Sequence, residues 1–192
     1  MAPPSRSGDL TLNAKTLTFT PCREDGASTP VEDLPTGEGR ALIGELGGAA
    51  RRVAVLVRLA GARIVAIRHA APEGRGCDAL SPEGEVEARG NEPFWVVRVE
   101  GGEARVLTPE SPAGTDYHHG TWARSGDSAW VYRARSRGDE TDSLTLRLTT
   151  VRCIDNMSGA WYPFGAALSR GGSRVTGCAL EGRQSQRPAA ER

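Results

Sequence analysis

A chain of 192 residues in which 24 Lys plus Arg meet 24 Asp plus Glu carries no net charge. That balance excludes the broad positive field that binding to phosphate backbones requires, and with it nucleic acid as a partner. The length fits two modest units better than one compact domain. The longest apolar run, near residues 53–60, is broken by Arg58, so no segment reaches the roughly 18 to 20 apolar residues of a transmembrane helix.

The opening residues Met1-Ala-Pro-Pro-Ser-Arg-Ser lack the apolar centre of an export signal. Residues 1–7 are expected to be a flexible tail. The runs Leu10-Thr-Leu and Leu17-Thr-Phe-Thr alternate with period two and predict a first β-hairpin, which Pro21 ends. Residues 23–39 are polar and carry Pro30 and Pro35; residues 40–46 then place Leu42, Ile43 and Leu46 on one side of a short helix, stopped by Gly47-Gly48. Two β-branched runs, 53–59 and 64–67, flank Ala60-Gly-Ala and predict a second hairpin. A first unit over residues 8–80 closes at Cys77.

Residues 78–85, with Pro82 and Gly84, read as a linker. Beyond it, strands are predicted over 94–99, 103–107, 129–134 and 144–151. In the last of these Leu144, Leu146 and Leu148 alternate with Thr145, Arg147 and Thr149, one face buried and one wet. Residues 108–119 and 135–142, rich in Pro, Gly and charge, are expected to be long exposed loops. Runs at 161–168 and 174–178 complete a second unit over 85–180, and 181–192 form a second flexible tail. The fold class is mainly β, with two small antiparallel β-barrel-like units and one short helix in the first.

Cys22, Cys77, Cys153 and Cys178 are even in number and show no C-x-x-C spacing of the kind zinc sites use. A disulfide framework is the reading preferred over four free thiols in a cytosolic protein. Of three connectivities, Cys22–Cys77 and Cys153–Cys178 keep each bond within one half. Loops of about 55 and about 25 residues would then contribute roughly 3 to 4 kcal/mol each. Disulfides place the chain in the periplasm or outside the cell.

Two segments stand out: Arg89-Gly-Asn-Glu-Pro-Phe-Trp-Val-Val-Arg-Val, and Cys153-Ile-Asp-Asn-Met-Ser-Gly-Ala-Trp-Tyr-Pro-Phe with the later Gly177-Cys178-Ala. Together they resemble a family of bacterial envelope proteins, largely predicted lipoproteins without an assigned activity. Its members pair a G-N-E-P-F-W strand with a C-x-D-x-M-S-G-x-x-Y-P segment and a closing G-C. The resemblance covers residues 86–180 and extends more thinly to Phe19-Thr-Pro-Cys22 and Cys77. It implies export, a β-barrel-like fold and paired Cys153 and Cys178. The lipid-attachment cysteine of such proteins has no counterpart near Met1.

Within these motifs Asp155 is expected to accept the backbone N–H of Met157 or Ser158 in a turn that Gly159 ends, a structural role weighed against one at a binding surface or in hydrolysis. Glu92 precedes Pro93, Phe94 and Trp95 at the start of a strand expected to be buried, so it needs partners. Donors in the 155–159 turn would make it a clamp between the motif segments. The competing reading makes Glu92 a ligand-binding carboxylate, with Trp95, Trp161 and Tyr162 as a stacking wall. Asn91 is a turn residue. The candidate binding set is thus Asn91, Glu92, Asp155, Asn156, Ser158, Trp161 and Tyr162.

Tyr117-His118-His119-Gly120 invites a metal, but adjacent side chains of an extended strand point to opposite faces, and a solvated loop is the simpler reading. Arg51-Arg52 and the arginines of 133–137 read as solvated faces. Neither a metal nor a cofactor is expected, and no catalytic residue is assigned. The expectation is a non-catalytic envelope protein that binds an envelope protein or glycan, with inhibition of a wall-degrading enzyme as a specific version and the oligomeric state left open. The rival is a hydrolase of envelope glycans using Glu92 and Asp155 as a carboxylate pair about 5 to 9 Å apart.

Overall fold

The computed structural model describes residues 5–22, 27–72, 84–139 and 141–182. The chain is mainly β and divides into two compact units. Among the described residues the first holds 5–72 and 156–161, and the second holds 84–155 and 162–182.

In the first unit β1 (Ser5–Asn13) and β2 (Thr16–Pro21) form the first hairpin, with Leu10 opposite Phe19 and Leu12 opposite Leu17. β3 (Thr29–Pro30) pairs with β2. Helix α1 (Glu38–Leu46) precedes the second hairpin, β4 (Arg52–Ala60) with β5 (Arg63–Pro72). The sheet runs β3-β2-β1-β4-β5, and Trp161 adds to β5 opposite Ala70. Its core joins Leu10, Leu17 and Phe19 to Val53, Val55 and Val57, with Leu42 and Ile43 supplied by α1.

The helix begins two residues before its expected start. Its first turn is met from outside by the Asp33 carboxylate, which accepts the N–H groups of Gly39 at 2.9 Å and Arg40 at 3.0 Å. That satisfies donors which the helix itself leaves unpaired. Ser5, Arg6 and Ser7, expected in a flexible tail, pair instead with Arg58, Val57 and Leu56 of β4. A ladder needs only backbone groups, so an apolar strand can recruit a polar neighbour.

The second unit is a closed eight-stranded barrel. In chain order its strands are β6 (Val86–Asn91), β7 (Phe94–Glu100), β8 (Glu103–Thr108), β9 (Ser111–Arg124), β10 (Ala129–Ser136) and β11 (Ser143–Thr149). β14 (Phe164–Arg170) and β15 (Ser173–Glu181) complete it; the short β12 (Cys153–Ile154) and β13 (Trp161–Tyr162), between β11 and β14 in the chain, are not barrel strands. The barrel order is β10-β11-β14-β15-β6-β7-β8-β9, antiparallel throughout. Leu144, Leu146 and Leu148 point inward and are fully buried, as their alternation requires.

Two corrections follow from closure. Of the residues expected in the 108–119 loop, 108 ends β8 and 111–119 belong to the fourteen-residue strand β9, while residues 135 and 136 of the second expected loop belong to β10. β9 has one buried side chain, Tyr117, so it carries no readable alternation. It is a strand because β8 and β10 both offer it backbone partners. Two glycines permit close packing inside the barrel. A β-carbon at Gly90 would collide with the Trp95 indole, and one at Gly120 with the Tyr132 ring. The expected Cys22–Cys77 bond and most of the expected linker fall on 73–83, outside the described residues.

Candidate functional site

The two motif segments dock on each other, but through Asn91 rather than Glu92. Asn91 ends β6, and its Nδ2 donates to Asp155 Oδ2 at 2.8 Å. Asp155 is buried. Glu92 and Pro93 form the turn between β6 and β7, and Glu92 is exposed. This corrects the expectation of a buried clamp. A two-residue turn lies outside the ladder, and burial begins only at Trp95, past a half-exposed Phe94.

The proposed stacking wall is not presented at a surface. Trp95 lies in the barrel core and Trp161 in the core of the first unit, while Tyr162 is buried as well. The Trp161 carbonyl accepts from the Nδ1 of buried His69 at 2.6 Å. Asn156 is exposed, and the Ser158 hydroxyl accepts the N–H of Ala160 at 3.2 Å, a local turn bond. Gly159 takes the positive φ expected at the end of the turn, +68°.

Cys153 and Cys178 are bonded, with their Cα atoms 5.5 Å apart. The disulfide ties the segment after β11 to the side of β15. At its other end the Thr150 N–H donates to the Ser128 carbonyl at 2.8 Å, and the Thr150 hydroxyl donates to the same oxygen at 3.2 Å. Val151, between Thr150 and the disulfide, is 62% exposed, and Ile154, between the disulfide and the Asp155 carboxylate held by Asn91, is 55% exposed. A short segment held at both ends therefore offers two apolar side chains to solvent.

On the outer wall a cleft of about 430 Å³ is lined by Arg98, Glu100, Glu103, Asp116, His118 and Arg137, among others. Arg105 grips Asp116 with two hydrogen bonds of 2.6 and 3.1 Å. Hydrogen bonding and charge together hold the Asp116 carboxyl below, and the Arg105 guanidinium above, their usual ranges. His118 Nδ1 meets Glu103, while His119 is exposed. Among the described residues no three His, Cys, Asp or Glu are placed to hold a metal. Carboxylates interleave with the arginines, so the cleft has no field of one sign.

At one end of the barrel a second cleft, about 210 Å³, is lined by Phe94, Trp95, Val106, Leu168, Arg170 and Val175, with Thr108, Glu110 and Ser173 at its edge. Arg170 lies over the Tyr117 ring, 5.6 Å from its centroid. Its Nη2 donates to Thr115 Oγ1 at 3.4 Å, and its Nε is 3.9 Å from Asp142 Oδ2. The Tyr117 hydroxyl donates to the same Asp142 oxygen at 2.9 Å. Burial, then that bond, pushes the Tyr117 hydroxyl up to about 12. Sequence reading missed this end of the barrel. The signal was Arg170 in phase with Phe164, Ala166 and Leu168, a charge on the inward face of an apolar strand.

Neither Glu92 nor Asp155 lines any of these clefts. No family model, curated protein or solved structure matches this chain.

Proposed function

We propose that the protein acts by binding rather than by chemistry, as an accessory protein of the bacterial cell envelope that meets an envelope protein or glycan. The observation that carries this reading is the pinned segment from Thr150 to Asp155, where Val151 and Ile154 stand exposed on either side of the Cys153–Cys178 bond, with the Ser128 contact at one end and the Asn91–Asp155 hydrogen bond at the other. Large apolar side chains held out in water mark a contact surface. Because both ends are anchored, little conformational freedom remains to be lost when a partner closes over them. The disulfide supports a location outside the reducing cytoplasm. Among the described residues no helix is long and apolar enough to cross a membrane.

The specific version is inhibition of a wall-degrading enzyme, whose cleft would take the pinned segment. The test assays wild type and the double variant Val151→Asp, Ile154→Asp against a panel of lysozymes and periplasmic glycan hydrolases. Inhibition at micromolar protein is expected, with a loss of at least about tenfold in the variant, since two apolar contacts are removed. An unchanged circular dichroism spectrum checks that the variant is folded. Wild type that inhibits no enzyme of the panel removes the inhibitor version. Capture of the same envelope partners by wild type and variant removes the segment as the contact.

A further inference from the structure

The open end of the barrel combines features that a merely structural core does not need. Arg170 is on the inward phase of β14, one step beyond Leu168, so its charge caps an apolar interior. A guanidinium there costs free energy unless water or partners meet its donors. Among the described residues its side chain makes one hydrogen bond, to Thr115; Asp142 is 3.9 Å away and already accepts from Tyr117. The Tyr117 ring beneath supplies a cation–π contact and holds the guanidinium in place. A fixed cation with donors to spare is a receptor for a carboxylate.

The remaining lining is apolar. Trp95, Val106 and Leu168 are buried and form the floor, Val175 packs against them, and Phe94 stands 49% exposed at the rim. Glu110, whose carboxyl is held below its usual range by hydrogen bonding from its own backbone N–H and the Thr108 hydroxyl, lies at the edge. That negative charge disfavours a second anionic group on an occupant. The volume of about 210 Å³ exceeds the roughly 150 Å³ that accepts benzene, and falls short of the roughly 300 Å³ at which drug-sized sites begin. It suits one ring with a short arm.

We propose that this barrel mouth binds a small aromatic monocarboxylate, its ring against Phe94 and Trp95 and its carboxylate on Arg170. Mouths of β-barrels are among the places where ligand sites recur. The site is separate from residues 150–154, so its failure leaves the reading of that segment standing.

The experiment titrates 3-phenylpropionate into the full chain and follows the Trp95 indole N–H by nuclear magnetic resonance. A saturable shift is expected, with the neutral 3-phenylpropionamide at least about tenfold weaker, because a hydrogen bond to a charged group is lost. Arg170→Gln should abolish the preference for the acid over the amide. Phe94→Ala, at the half-exposed rim, should weaken both ligands by about tenfold through the lost ring contact, with an unchanged circular dichroism spectrum to show that the variant is folded. The proposal is overturned by an unmoved Trp95 signal at about 10 mM ligand, a concentration that reveals even weak fragment binding. It is equally overturned by equal affinity of wild type for acid and amide, or by full affinity in Phe94→Ala.

Discussion

The barrel and the open sheet satisfy their backbones by different means. In the barrel every strand has two neighbours, so a segment as poor in buried side chains as β9 is still held by ladders on both sides. The first unit ends at β3, two residues that include Pro30, a short edge that resists pairing with another chain. Its core draws Leu42 and Ile43 from α1, and α1 depends on Asp33 for its first turn. Closure therefore gives every barrel strand two ladders, while the open sheet leaves an edge strand with one neighbour and adds a helix whose first turn rests on one carboxylate.

The largest expected effect tests whether the barrel is a cooperative body of its own. Leu146→Ala removes a fully buried side chain and should cost about 2 to 5 kcal/mol. Amide exchange should quicken in β10, β11 and β14 while residues 53–57 of β4 keep their protection; an equal loss in β4 would break the distinction. Next, replacing Cys153 and Cys178 together by alanine opens a link across 25 residues, with an expected loss of about 3 kcal/mol from the second unit by calorimetry. No loss would mean that the ladder and the Thr150 contacts hold the segment alone. The smallest effect belongs to the open sheet. Asp33→Ala should cost about 1 kcal/mol, with fraying of the start of α1 in far-ultraviolet circular dichroism and no change in barrel exchange rates.

Much of the strand layout was legible because alternation is written locally. Leu10, Leu12, Leu17 and Phe19 mark the first hairpin, and Leu144, Leu146 and Leu148 mark β11, by the same period-two pattern. The early start of α1 was hidden because its cap, Asp33, stands outside the helix and reaches it through space. Strand β9 was hidden because its reason to be extended lies in its neighbours. The site was read in part. Asn91 and Asp155 meet, but Glu92 was given a burial that belongs to Trp95, and Arg170 was passed over although its phase in β14 was visible.

By itself the amino-acid sequence determined the β class, the two hairpins of the first unit, the short helix and the period of the barrel strands. These depend on side-chain spacing along a few consecutive residues. Only the tertiary structure decided that the first unit stays an open sheet while the second, expected barrel-like, closes, that residues 111–119 join the barrel, and that Arg170 caps an apolar mouth beside Phe94 and Trp95. Those outcomes depend on which backbone edges find each other and which side chains arrive at one end of a barrel, quantities set by register between strands distant in the chain.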